Sequence, residues 1–174
     1  NYVSFAGLLN AIGPAERPVP PLIAAGDFGG GGVFLALGML AALWEAQRSG
    51  RGQVVDASIV DGAANLMAYI YGGLAGGAWL NQRASNTIDG GHWRYSVYEC
   101  ADGRFVSVAA MMDPFLKVLL EKLGLDLRDF PEPNSRKHWA SYRERLAAIF
   151  RTRSRDEWVT HFAGTDACVA PVLD

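Results

Sequence analysis

The sequence predicts an α/β fold: half of a doubly wound parallel-sheet domain over residues 1–75, a linker over 76–94, and a smaller α+β domain over 95–174. Three observations carry this. A helix, strand, helix succession between residues 30 and 74 has the rhythm of a parallel α/β layer. A glycine-rich interval from Gly72-Gly73 to Gly90-Gly91 breaks all periodicity. A hairpin signal followed by helical repeats then starts near Tyr95.

Residues 13–22 (Gly-Pro-Ala-Glu-Arg-Pro-Val-Pro-Pro-Leu) hold four prolines, each with a fixed φ and no backbone donor, and so predict an extended surface connection that delivers the chain to Gly26-Asp27. From about Gly30 to Gln47 the apolar residues are nearly continuous and Gly50 follows, which predicts a buried helix stopped by glycine. Gln53-Val-Val-Asp-Ala-Ser58 predicts a short strand, and Asp61 is positioned to cap a further apolar helix to about Leu74.

In the second half, Val97–Cys100 and Phe105–Ala109 read as strands around Ala101-Asp102-Gly103-Arg104, a hairpin signal. Asp113 as N-cap and Pro114 in the first turn open a helix with Phe115, Leu116, Leu119, Leu120 and Leu123 at helical spacing, ended by Gly124. A helix from Ser135 or Trp139 to Phe150 is expected next. Then come a helix capped by Ser154 with Glu157 three residues on, and a closing strand over Ala167–Val172. No internal repeat is visible.

Bulk properties narrow the function. The chain has 174 residues, 50% hydrophobic and 20% charged, with a net charge of -2 and no basic face of the kind nucleic acids require. Two cysteines in apolar settings, Cys100 and Cys168, read as free thiols in a reducing, cytoplasmic compartment. The uncharged run Phe28–Trp44 opens with glycines, and its bulky part from Val33 falls short of the roughly 18 to 20 apolar residues of a membrane span. The start at Asn1, with no initiating Met and no basic leader, is expected to lie inside a longer protein.

The strongest candidate for chemistry is Asp27 in Gly26-Asp27-Phe28-Gly29-Gly30-Gly31-Gly32, where a carboxylate stands at or just before the start of the longest apolar helix. Gly29 and Gly30 would let a substrate approach the backbone, and their N–H groups could stabilise charge developing on a thioester oxygen. On pattern alone Asp27 reads more readily as an N-cap, with the glycines serving helix packing. Met111-Met112 could line a hydrophobic ligand surface or belong to the core. His138 and His161 lie in polar helices; His92, in the linker, could contact a ligand; Asp56 and Asp61 read as loop or cap residues. No metal-ligand spacing is present, and no dissociable cofactor is expected.

Asn1-Tyr2, Pro20-Pro21-Leu22, Gly26-Asp27-Phe28-Gly29-Gly30-Gly31, Leu40-Ala41-Ala42-Leu43-Trp44-Glu45 and Gly50-Arg51-Gly52-Gln53-Val54-Val55-Asp56 together resemble the family III CoA-transferases, in particular their α-methylacyl-CoA racemase branch. Asp61-Gly62, Asp89-Gly90-Gly91, Tyr98-Glu99-Cys100-Ala101-Asp102-Gly103 and Asp166-Ala167-Cys168-Val169-Ala170-Pro171-Val172 extend the resemblance over essentially the whole chain. It implies an acyl-CoA substrate, an interlocked homodimer in the intact protein, and Asp27 as one half of a His and Asp acid–base pair. The His, three residues before the motif's Asn-Tyr, would lie upstream of Asn1, so Tyr2 falls beside the site. Two positions depart from the racemase pattern: Ile23 stands where Asn is expected and Met112 where Glu is expected, with Asp113 the nearest acid. In the transferase branch the same Asp attacks the thioester to form a mixed anhydride. Racemase or epimerase, CoA-transferase and a non-catalytic acyl-CoA-binding paralogue are the three readings the sequence leaves.

Overall fold

A computed structural model describes all 174 residues, which group into two compact units, Asn1–Arg83 and Ala84–Asp174.

The first unit is helical. Short helices α1 (Tyr2–Phe5) and α2 (Leu8–Ala11) precede the proline-rich connection, and a π-helical segment over Ala24–Val33 runs without a break into α3 (Phe34–Ser49). Gly50 closes α3 in the left-handed conformation at φ 70°, with its N–H on the Ala46 carbonyl. The helix predicted to start near Gly30 therefore begins several residues earlier. Residues 53–58 form no strand: a strand exists only by pairing, and no neighbouring strand in the chain offers it hydrogen bonds. The segment instead meets α3 at Gly38, where a Cβ would come within 2.7 Å of Val55 Cγ1.

Helices α4 (Ile59–Leu66) and α5 (Ala68–Ala75) complete the unit as one apolar stretch interrupted at Met67. Ser58, rather than Asp61, is the N-cap of α4: its Oγ accepts from the Asp61 N–H at 3.1 Å and its hydroxyl donates to Asp61 Oδ2 at 2.6 Å. The core here is small, built on Ala6, Leu8, Ala63 and Met67. No residue of α3 is buried, and Leu37, Leu40, Leu43 and Trp44 are each more than 60% exposed, so the expected burial of this helix is not met within the chain. Counted from Ala24 to Ser49 the helix has 26 residues and, by length and composition alone, is long and apolar enough to cross a membrane.

The second unit carries the only sheet, antiparallel and ordered β1 (Tyr95–Glu99), β2 (Phe105–Ala109), β3 (Val169–Pro171). The parallel layer expected of the first half is thus absent from the chain, and the α+β pattern of the second half is present. The Asp102-Gly103 turn works as its sequence implies: Gly103 takes φ 73° and Cys100 N–H reaches the Arg104 carbonyl at 2.8 Å. Tyr98, Val106 and Val108 point from one face of the sheet into a core shared with α6 (Asp113–Lys122), α7 (Arg136–Phe150) and α8 (Arg155–Phe162). Met112, not Asp113, is the N-cap of α6, which places Asp113 inside the first turn. Ser154 and Glu157 form the expected capping box on α8, with Ser154 N–H donating to Glu157 Oε2 at 2.8 Å.

Residues 85–94 pack into this second core. Asp89 Oδ1 accepts from the N–H groups of Asn86 and Gly91, and Trp93 stacks on Phe130 at 4.8 Å while its indole donates to the Pro133 carbonyl. His92 is 1% exposed, with its ring 4.3 Å from Trp139 and its Nδ1 accepting from the Arg94 N–H. Instead of contacting a ligand it is a core residue. Burial, reinforced by the Arg94 charge, pushes its pKa down to about 4. The unfolded chain therefore binds a proton near pH 6.5 that the folded chain refuses until about pH 4, so stability falls as pH drops through that window and levels below it. The shift corresponds to a loss of up to about 3 kcal/mol. Urea unfolding followed by tryptophan fluorescence at pH 7 and 5 should show it, and His92→Gln should flatten the dependence. An unchanged slope in that variant would contradict the assignment.

Candidate active site around Asp27

The glycine run shapes the first unit because it lets two helices touch through their backbones. A Cβ on Gly30 would lie 2.8 Å from the Ala63 nitrogen, and one on Gly62 would collide with the Gly30 carbonyl. Neither position has room for a side chain, and both glycines are buried. Neighbouring glycines take the side chains of α4: Gly31 faces Ile59 Cγ1 at 3.1 Å and Gly29 faces Leu66 Cδ1 at 3.2 Å from their would-be Cβ positions. Wider π turns, with each N–H bonded five residues back, are a common local feature of functional sites. Here they engage the N–H groups of Gly29 and Gly30 in the helix ladder, so these donors are not open to a thioester oxygen as the sequence suggested.

Asp27 lies in the first turn of the π segment and is exposed. It is not an N-cap; Ile23 holds that position and is 59% exposed. The positive end of the helix still favours a carboxylate there. The amino-terminal helix is brought alongside: a Cβ on Gly26 would come within 2.8 Å of Val3 Cγ1, which sets α1, and with it the 58% exposed Tyr2, next to the Gly26-Asp27 segment. Tyr2, Ile23, Asp27, Gly29 and Gly30 thus belong to one neighbourhood of the first unit. Met111 and Met112 belong to the second, where Met111 is half-buried beyond β2 and Met112 is 59% exposed. No cluster of three or more His, Cys, Asp or Glu side chains is placed to hold a metal ion.

Two residues gain from the structure a role that the sequence did not assign them. Gly62 is the partner of Gly30, and its signal was present as a glycine inside a helical pattern, which usually has a packing reason. Gly62→Ala should cost about 1–3 kcal/mol through overpacking, and should displace the π segment that carries Asp27. Circular dichroism during urea unfolding measures this, and a loss below about 0.5 kcal/mol, the range of ordinary surface substitutions, would contradict the close approach. Arg94, buried in the second unit, gave no sequence signal.

The model of CoA-transferase family III matches residues 1–174. The chain is similar to α-methylacyl-CoA racemase of Mus musculus, 42% identical over 174 residues covering 99% of this chain and 46% of that protein. It is 38% identical to α-methylacyl-CoA racemase of Homo sapiens with the same coverage. The chain spans about half the length of the curated relatives it matches. Among solved structures, the Mycobacterium tuberculosis protein Rv3272 matches 99% of this chain and 46% of its own with a TM-score of 0.73 at 20% identity, a likeness of fold. On the full-length family match and the racemase identities, the chain belongs to CoA-transferase family III.

Proposed function

We propose that the whole protein is a racemase or epimerase of 2-methylacyl-CoA thioesters, with Asp27 exchanging the α-proton through an enolate-like intermediate. The observation that carries this reading is the 42% identity to a racemase, sustained over 99% of the chain and so over both units. Asp27 suits the role: it is exposed, and the adjoining α1 begins at the Asn1-Tyr2 pair, upstream of which the resemblance puts the partner His. The acyl-CoA would be bound near Tyr2, Ile23, Gly29 and Gly30 of the first unit. Most CoA contacts, the partner His, the parallel sheet of a large domain and an interlocked second copy would come from the remainder of the protein. That remainder is proposed to cover the apolar flank of α3, in place of lipid. Free thiols at Cys100 and Cys168 agree with a cytoplasmic setting.

A second reading, transfer of CoA between carboxylic acids, is favoured by Met112, a side chain with no exchangeable proton where the racemase pattern has an acid. In it Asp27 attacks the thioester carbonyl, CoA leaves as thiolate, and a mixed anhydride remains on Asp27. Hydroxylamine added during turnover of the intact protein separates the two. Under the racemase reading activity persists and Asp27 stays unmodified; inactivation with a hydroxamate at Asp27 would replace it with the transferase reading.

A further inference from the structure

Arg94 is 3% exposed, yet its charge is poorly met. Nη2 donates to Asn134 Oδ1, the guanidinium carbon lies 5.7 Å from the centroid of the Trp93 ring, and Nε and Nη1 have no hydrogen-bond partner. The acid beside it is Asp113, whose carboxylate is 94% exposed and stands 3.5 Å from Nη1, close enough to pair but not to hydrogen-bond well. A buried guanidinium left with unmatched donors is costly unless an anion completes it.

Asp113 also opens α6, and that helix end is uncapped. Met112 at the N-cap has no acceptor side chain, Pro114 has no N–H, and the first-turn N–H groups lack the side-chain oxygen that usually covers them. Asp113 links two sets of donors: its carboxylate stands beside the unmatched Arg94 guanidinium, and its backbone lies in the uncapped first turn, at the positive end of a ten-residue helix.

We propose that Arg94 and the first turn of α6 form a carboxylate-binding seat, which the Asp113 side chain occupies loosely and from which a ligand carboxylate displaces it. The group now nearest the seat is itself a carboxylate, and a single guanidinium balances one negative charge, so a monocarboxylate fits better than a phosphate dianion. Displacement is easy because Asp113 is almost wholly in water and ties down nothing else. The site lies within the second unit and does not depend on which reaction the protein catalyses.

Hydrogen–deuterium exchange of the first turn of α6, read by mass spectrometry on the 174-residue chain, tests this with acetate as probe against chloride at equal ionic strength. Acetate should slow exchange there and chloride should not. Asp113→Asn, which removes the intramolecular competitor at an exposed position, should reach the same protection at about ten-fold lower acetate. Arg94→Gln should abolish protection. Equal protection by chloride, or an Asp113→Asn variant that needs as much acetate as the unaltered chain, overturns the proposal even if Arg94→Gln fails to fold.

Discussion

Asp27→Asn in the intact protein is expected to lower turnover by at least the ~10² typical of losing a general acid or base, while acyl-CoA affinity changes little. The substitution keeps the size of the side chain and its place in the first turn of the π segment. Under the proposed reading it removes the carboxylate that accepts the α-proton. Because Asp27 is exposed, the fold should be little changed, which makes the variant a clean report on chemistry. Stopped assays of substrate consumption and a separate binding titration measure the two quantities. Near-normal turnover would reduce Asp27 to a charge at a helix end.

The largest effect on stability is expected at Phe150. Its ring is fully buried, stacks with Tyr98 at 5.0 Å and meets Trp158 edge-on at 5.2 Å, and its backbone carbonyl accepts from the Trp158 indole at 2.7 Å. It joins the sheet, α7 and α8 at one point. Phe150→Ala should cost about 3–5 kcal/mol, because the space it leaves is walled by other aromatic rings that cannot collapse into it. That is a large share of the stability of a small domain. Urea unfolding read by near-ultraviolet circular dichroism checks it, and a loss under about 1 kcal/mol would contradict the packing described.

Sequence was most informative where the determinant was local, although it misplaced two helix caps, Asp61 for Ser58 and Asp113 for Met112. The Asp102-Gly103 hairpin and the Ser154–Glu157 capping box each depend on residues at most three or four apart, and both form as expected. The family resemblance likewise came from contiguous motifs. What could not be read depends on distant partners. The π segment exists against a close approach between Gly30 and Gly62, 32 positions apart, and nothing in the glycine run announces the wider turn. Residues 53–58 have the composition of a strand but no strand beside them, and pairing, not composition, makes a strand. His92 looked like a linker residue until Trp139 closed over it, and Arg94 drew no notice because its polar partners, Asn134 and Asp113, are distant in sequence. At the candidate site, Asp27 and its glycines were legible. That the glycine N–H groups are committed to the helix was not.

The measurement that bears most directly on the central claim is deuterium incorporation at C2 when the intact protein is incubated in heavy water with a single epimer of a 2-methylacyl-CoA. The expected result is deuterium at C2 in both epimers, at a rate lost with Asp27→Asn. Conversion or CoA transfer without deuterium at C2, or exchange that survives Asp27→Asn unchanged, would contradict it.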